Sequence, residues 1–239
     1  MRTRGFTLLE VILGTALLGM LMVFLAAILM GSQKVWRQVS GSTESGSQLL
    51  KALREVRGEM VLASPRQITT VQVPASLGGG PDGDAVWFTS AIDPNTGEFV
   101  RKPNGSPFWQ RNVLYYLVVP TNHDNLFGAS CAGGVGPDGY DDTCPHKVLI
   151  RKEIDFGPAT DTTNEANEET LMTPAEIGPY LTRPNGYSVT TFAGEQAQIK
   201  ARELLGFRVM LNPLPATIEV RGVNLPRANK SLAVGTVSL

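Results

Sequence analysis

The stretch that decides the fold reads Arg4-Gly5-Phe6-Thr7-Leu8-Leu9-Glu10 and runs directly into VILGTALLGMLMVFLAAILM, Val11 to Met30. Those twenty residues carry no charge, and as a helix they extend about 30 Å, the thickness of a bilayer's hydrocarbon core. A helix in the core of a soluble domain shows a polar stripe toward water. This run is apolar or small on every side, so it predicts a membrane span. Arg2 and Arg4 precede it and favour a cytoplasmic N-terminus with the remainder exported, a bias that Lys34 and Arg37 beyond the span weaken. A removable signal peptide shares the basic start and the apolar stretch. The length of the run, the lack of a small-x-small site at its end and Glu10 weigh against that reading.

Glu10 is the residue that needs a reason. A carboxylate carried to the bilayer centre costs about 2.5 kcal/mol or more, so an acid at the edge of a span is expected to have a partner or a function. The plainer reading is an acid that snorkels to the headgroups. Its setting favours the first: a basic leader ending in Gly5, then Phe6, three uncharged residues, Glu10 and a bilayer-length helix. This pattern resembles the class III signal of type IV pilins and type II secretion pseudopilins at every position. The resemblance implies that a prepilin peptidase cuts between Gly5 and Phe6, that Phe6 becomes the N-methylated N-terminus, and that Glu10 is the fifth residue of the mature chain. There it meets the terminal amine of a neighbouring subunit, an attraction strengthened by low dielectric. The chain then divides into a leader (1–5), a transmembrane helix (6–31), a stalk continuation (32–64) and a periplasmic α+β domain (65–239).

The remaining composition narrows the function classes. With 239 residues, 42% hydrophobic and 18% charged, and a formal net charge of −1, the chain is neither a disordered acidic tail nor a basic nucleic-acid binder, and no nucleic-acid partner is expected. Two Cys and two His cannot supply a Cys-rich zinc site, and a His-based centre would need both His plus carboxylates. Beyond the span, Trp36, Val39, Thr43, Gly46, Leu50, Leu53, Arg57 and Met60 keep a 3–4 spacing, which predicts one continuous helix face to about Ala63. Ser40 to Ser47 (SGSTESGS) has linker composition, and its two Gly cost a helix interior roughly 2 kcal/mol relative to Ala. A local kink there is the competing expectation. Ser64-Pro65 closes the helix.

Thereafter short apolar runs alternate with turn residues: Gln67–Val73, Ala85–Ala91, Asn112–Val119, Lys147–Phe156, Tyr187–Phe192, Leu204–Leu211, Thr217–Val223 and Ser231–Val237. They read as strands. Thr217 to Arg221 places Ile218 and Val220 on one face. Asp93-Pro94-Asn95-Thr96-Gly97 predicts a turn and Thr173-Pro174-Ala175-Glu176 a capped short helix. The fold class expected is α+β: a long N-terminal transmembrane and stalk helix on a largely antiparallel, pilin-like sheet.

The GFTLLEV start, Trp36, Asp84–Thr89 (DAVWFT), Val113–Val118 (VLYYLV), Val148–Arg151 (VLIR) and Leu214–Val220 (LPATIEV) form a further pattern. On these residues the chain looks like a minor pseudopilin of the J class. The loops in the 100s to 140s and the Gly157–Gly186 stretch look like insertions into that pattern. The resemblance implies a structural subunit at the tip of a short periplasmic pseudopilus in type II secretion, single-pass in a bacterial inner membrane. Its partners would be other major and minor pseudopilins, the prepilin peptidase, an inner-membrane assembly platform and membrane lipid. The same signal also serves minor type IV pilins in adhesion, motility or DNA uptake.

Cys131 and Cys144, thirteen positions apart in a Gly-rich loop, would meet an oxidising compartment after export, which favours a disulfide over two unpaired thiols. Such a bridge could stabilise by about 3 kcal/mol in the chain-entropy picture. Between them lie Asp138, Asp141 and Asp142. Calcium accepts flexible oxygen donors of this kind, but the spacing departs from the EF-hand pattern, so an ordinary solvated acidic loop competes with a calcium site. No other cofactor is expected. For an enzyme, Gly128-Ala129-Ser130-Cys131-Ala132 misses the nucleophile-elbow pattern at its last position. His123 and His146 read as surface residues, and no HExxH or phosphate loop occurs. The expectation is therefore a non-enzymatic subunit, with a membrane-anchored enzyme as the reading from another class.

Overall fold

The computed structural model of the chain describes residues 7–80, 83–93, 96–128, 144–154, 164–224 and 229–238. The chain divides into two compact units, Met1–Thr43 and Glu44–Leu239. One helix, α1 (Leu8–Met60), supplies all the described structure of the first unit and opens the second. The Ser40–Ser47 stretch does not interrupt it. Thr43 and Ser47 turn their hydroxyls back onto the Val39 and Glu44 carbonyls (2.9 and 2.8 Å), so these residues are satisfied without leaving the helix.

In the second unit α1 buries Ser45, Leu49, Ala52, Val56 and Met60, a 3–4 repeat. The expected period is present, but the face is displaced by about one residue: Leu50 is 60% exposed, and Arg57 is exposed as well. The sheet explains the displacement. A Cβ at Gly222 would stand 3.1 Å from both Leu49 and Ser45, and one at Gly235 would stand 2.8 Å from Leu53. The helix lies so close to the last strands that glycines stand there opposite Leu49, Ser45 and Leu53.

Seven antiparallel strands pair strictly in chain order: β1 (Ile68–Gln72), β2 (Asp84–Ser90), β3 (Arg111–Val118), β4 (Lys147–Ile154), β5 (Glu195–Met210), β6 (Ala216–Asn224) and β7 (Asn229–Val237). Tyr187–Phe192, expected as a strand, forms only an isolated bridge between Asn185 and Ser188. The strand expected at Leu204 instead starts at Glu195, because the polar run Glu195–Lys200 pairs with β4. β5 bends in its middle, where Glu203 adopts φ 56° and the register with both neighbours shifts. An extra residue of this kind bends a strand and deepens its twist. Beyond the bend, Phe207 bridges Gly83, and the Val209 N–H donates to Asp84 Oδ2 (2.8 Å), so the sheet curls toward the start of β2.

The two faces of β2 to β4 are both buried. Val86, Phe88, Val113, Tyr115, Leu117 and Leu149 pack with α1. Ala85, Trp87, Leu114, Tyr116, Val118, Val148, Ile150 and Ile154 pack with Met172, Ile177 and Leu181. The segment 164–194, whose residues up to Gly186 belong to the Gly157–Gly186 stretch that looks like an insertion, is thus the cover of the outer face. Its short helix α3 (Pro174–Ile177) carries the expected capping box between Thr173 and Glu176. Backbone carbonyls fasten it down: Trp87 Nε1–H donates to Met172 O (2.8 Å), and the Asn112 side chain both donates to Thr170 O (3.0 Å) and accepts from Met172 N–H (3.1 Å). On the inner face, Arg151 donates to both carboxylate oxygens of Glu59 (2.9 and 3.0 Å), and Lys200 pairs with Glu55 (3.0 Å), fixing α1 to β4 and β5.

Tyr115 and Tyr116 point to opposite faces and both are fully buried. Burial pushes both phenols above the usual tyrosine range. Glu59 adds to the effect at Tyr115, while the Tyr116 hydroxyl's bond to Thr182 opposes it. The native state therefore keeps protons that the unfolded chain gives up near pH 10. The stability this contributes is fully present below about pH 10 and is lost as pH rises beyond it. Relative to Tyr115→Phe, the unmodified protein is expected to lose about 1.4 kcal/mol per pH unit above that point. Urea unfolding of both proteins between pH 8 and 11.5 checks this, and parallel curves would exclude it.

Candidate functional site

The described start of α1 is built by four residues, Thr7-Leu8-Leu9-Glu10. Thr7 N–H and Oγ1–H both donate to Glu10 Oε2 (2.8 and 2.9 Å), and the Glu10 N–H donates back to Thr7 Oγ1 (3.3 Å). This is a capping box, which satisfies two of the N–H groups that every helix start leaves without an internal partner. The carboxylate also stands at the positive end of the helix dipole. The same arrangement recurs at Thr173 and Glu176. Both rest on the T-x-x-E spacing, a signal visible at Thr7 as much as at Thr173. The sequence expectation gave Glu10 a partner in another subunit or, on the plainer reading, the headgroups; within this chain one of its oxygens is held locally, and Oε1 makes no hydrogen bond among the described residues.

From Leu8 to Trp36 the helix is long and apolar enough to cross a membrane, and none of this stretch is buried. A soluble core helix of that composition would be mostly covered. Here large side chains such as Leu17, Met20 and Phe24 stand 60 to 71% exposed. Gly5 and Phe6, the expected cleavage and methylation positions, lie outside the described residues, as do Cys131 and the proposed calcium donors Asp138, Asp141 and Asp142. Cys144 is described, and it is disulfide-bonded.

The two histidines are not surface residues. His123, the first residue of α2 (His123–Phe127), is 3% exposed and His146 is 9% exposed. They are brought together because β3 and β4 are adjacent: Val118 pairs with Val148, and the histidines stand just beyond that end of the pair. His123 Nε2 lies 2.8 Å from His146 Nδ1, and Phe127 stacks on the His146 ring with centroids 4.0 Å apart. Burial and then the neighbouring His123 hold His146 below the usual imidazole range. Spacing along the chain did not reveal this pair; the hairpin that joins β3 to β4 would have.

No family model, curated protein or solved structure matches the chain.

Proposed function

We propose that the chain is a minor pseudopilin-type structural subunit, without enzymatic activity, which a prepilin peptidase processes and which assembles with other pseudopilins for protein export. The observation that carries the reading is the division of labour along α1: an acid-capped, fully exposed apolar start, and a C-terminal part that forms the core of an antiparallel sheet. A long apolar helix packed on such a sheet is compatible with pilin-like architecture. In this reading the exposed part anchors the chain in the inner membrane and packs beside other subunits, and the sheet domain lies in the periplasm.

The experiment has two arms. Mass spectrometry of the protein from its native host is expected to find a methylated Phe6 at the N-terminus; an intact Met1 in the membrane fraction contradicts the reading. The second arm separates the charge of Glu10 from its cap. Glu10→Gln keeps an oxygen that can accept from Thr7 N–H, whereas Glu10→Ala removes both charge and acceptor. Both variants are expected to insert normally and to lose crosslinking to neighbouring subunits. Full crosslinking of Glu10→Gln with loss only in Glu10→Ala would reduce Glu10 to a capping residue.

A further inference from the structure

At the end of the β3–β4 pair, three potential metal donors converge independently of the anchoring helix. His123 Nε2 lies 2.8 Å from His146 Nδ1 and 3.7 Å from Cys144 Sγ, and the donor atoms of the three residues all lie within 4.8 Å of one another. All three residues are buried. A tetrahedral zinc ion with bonds of about 2.0 Å to nitrogen and 2.3 Å to sulfur holds two nitrogens about 3.3 Å apart and nitrogen and sulfur about 3.6 Å apart. The sulfur is therefore already at the required distance from His123 Nε2 and lies within 4.8 Å of the His146 donor, and the histidine pair has to open by about half an ångström.

The surroundings favour the same use. His123 Nδ1 is 2.9 Å from Asp124 Oδ1, the carboxylate contact that orients a metal-binding imidazole and leaves Nε2 for the ion. Phe127, stacked on His146, fixes that ring. Two imidazoles and a thiolate suit zinc and chemically similar ions rather than calcium or magnesium. One donor is withheld, because Cys144 is in a disulfide and its sulfur is no thiolate.

We propose that His123, Cys144 and His146 form a redox-gated zinc site that becomes complete when the Cys144 disulfide is reduced. A dithiol reductant passes two electrons and two protons to the disulfide, so that the S–S bond breaks, two protein thiols form and the reductant closes its own disulfide. The Cys144 thiol then gives its proton to solvent as its sulfur binds the ion, and water takes the fourth position. Disulfide and metal exclude one another. The chain accepts the ion before oxidation and must release it when the bridge forms.

The test uses the full chain in detergent micelles, with cobalt as the spectroscopic probe and zinc as competitor. Cys131 is the only other cysteine, so Cys131→Ser frees Cys144 without any reductant. That variant is expected to bind one equivalent of cobalt, with tetrahedral visible bands and a thiolate-to-cobalt charge-transfer absorption, both removed by one equivalent of zinc. Adding His146→Gln or His123→Gln is expected to weaken binding about tenfold or more, and the oxidised unmodified chain is expected to show no charge-transfer band. Should Cys131→Ser not fold by circular dichroism, the unmodified chain reduced with a phosphine and then desalted takes its place. Absence of the thiolate band in the reduced, folded protein overturns the proposal, as does cobalt affinity that neither histidine substitution changes or that oxidation leaves intact.

Discussion

Glu195→Gln is expected to destabilise the sheet domain by about 3–5 kcal/mol, the cost of leaving a buried charge without its partner. Lys152 on β4 and Glu195 at the start of β5 form an ion pair whose side chains are both completely buried. Lys152 also donates to Thr182 Oγ1 (2.9 Å), and Glu195 accepts from the Phe192 N–H (2.8 Å). The pair thus ties the sheet to the middle and the C-terminal end of the cover segment. Burial outweighs the attraction of Glu195 and holds Lys152 below the ordinary lysine range, the mark of a cation kept in place at a cost. Removing the charge on both sides tests that cause. Lys152→Met combined with Glu195→Gln should recover most of the loss, since buried pairs often exchange for neutral groups with little net effect. Thermal unfolding reports the difference as a fall on the order of 10 °C in the single variant. A double variant no more stable than the single one would show that packing, not charge, sets the cost.

Trp87→Ala is the second large effect. The indole is fully buried on the outer face and donates to Met172 O, so its removal leaves both a cavity and an unpaired carbonyl under the cover. Losses for such truncations run to about 3–5 kcal/mol. Trp87→Phe keeps most of the ring volume and loses chiefly the hydrogen bond, which predicts about 1–3 kcal/mol. Both variants are expected to expose 164–194 to limited proteolysis, with the order Ala, then Phe, then the unmodified protein. Equal cleavage in all three would mean that the segment is held by its other contacts alone.

Much of the architecture was legible because it is local. The apolar span, the Thr173 box and most strands are set by residues within one or two turns of chain; the turn expected at Asp93 to Gly97 includes Pro94 and Asn95, which lie outside the described residues. Where the sequence misled, a distant partner decided. The buried face of α1 is the one that meets Gly222 and Gly235, far along the chain, whose lack of a side chain leaves room for Leu49 and Leu53. The first half of β5 reads as polar and yet pairs fully with β4. The part of the cover segment up to Gly186 looks like an insertion because its anchors are main-chain carbonyls, which any residue supplies. At the helix start, the T-x-x-E spacing was present, but the charge of Glu10 drew the reading toward a neighbouring subunit and away from Thr7.

The strand order has a consequence for how the domain is made. Because each strand hydrogen-bonds the one before it, a chain emerging N-terminus first can add strands in sequence, each onto an edge already formed. Meanders of this kind avoid the wait imposed by long-range pairing. Beside the return of β5 to Gly83 and Asp84, the contacts of α1 with Gly222 and Gly235 are exceptions, which join the first described element of the domain to its last two strands. Until β6 and β7 arrive, Leu49 and Leu53 have no cover there. That face of the helix is thus sealed only by the last two strands of the meander, and the domain stays open along that seam until they have formed.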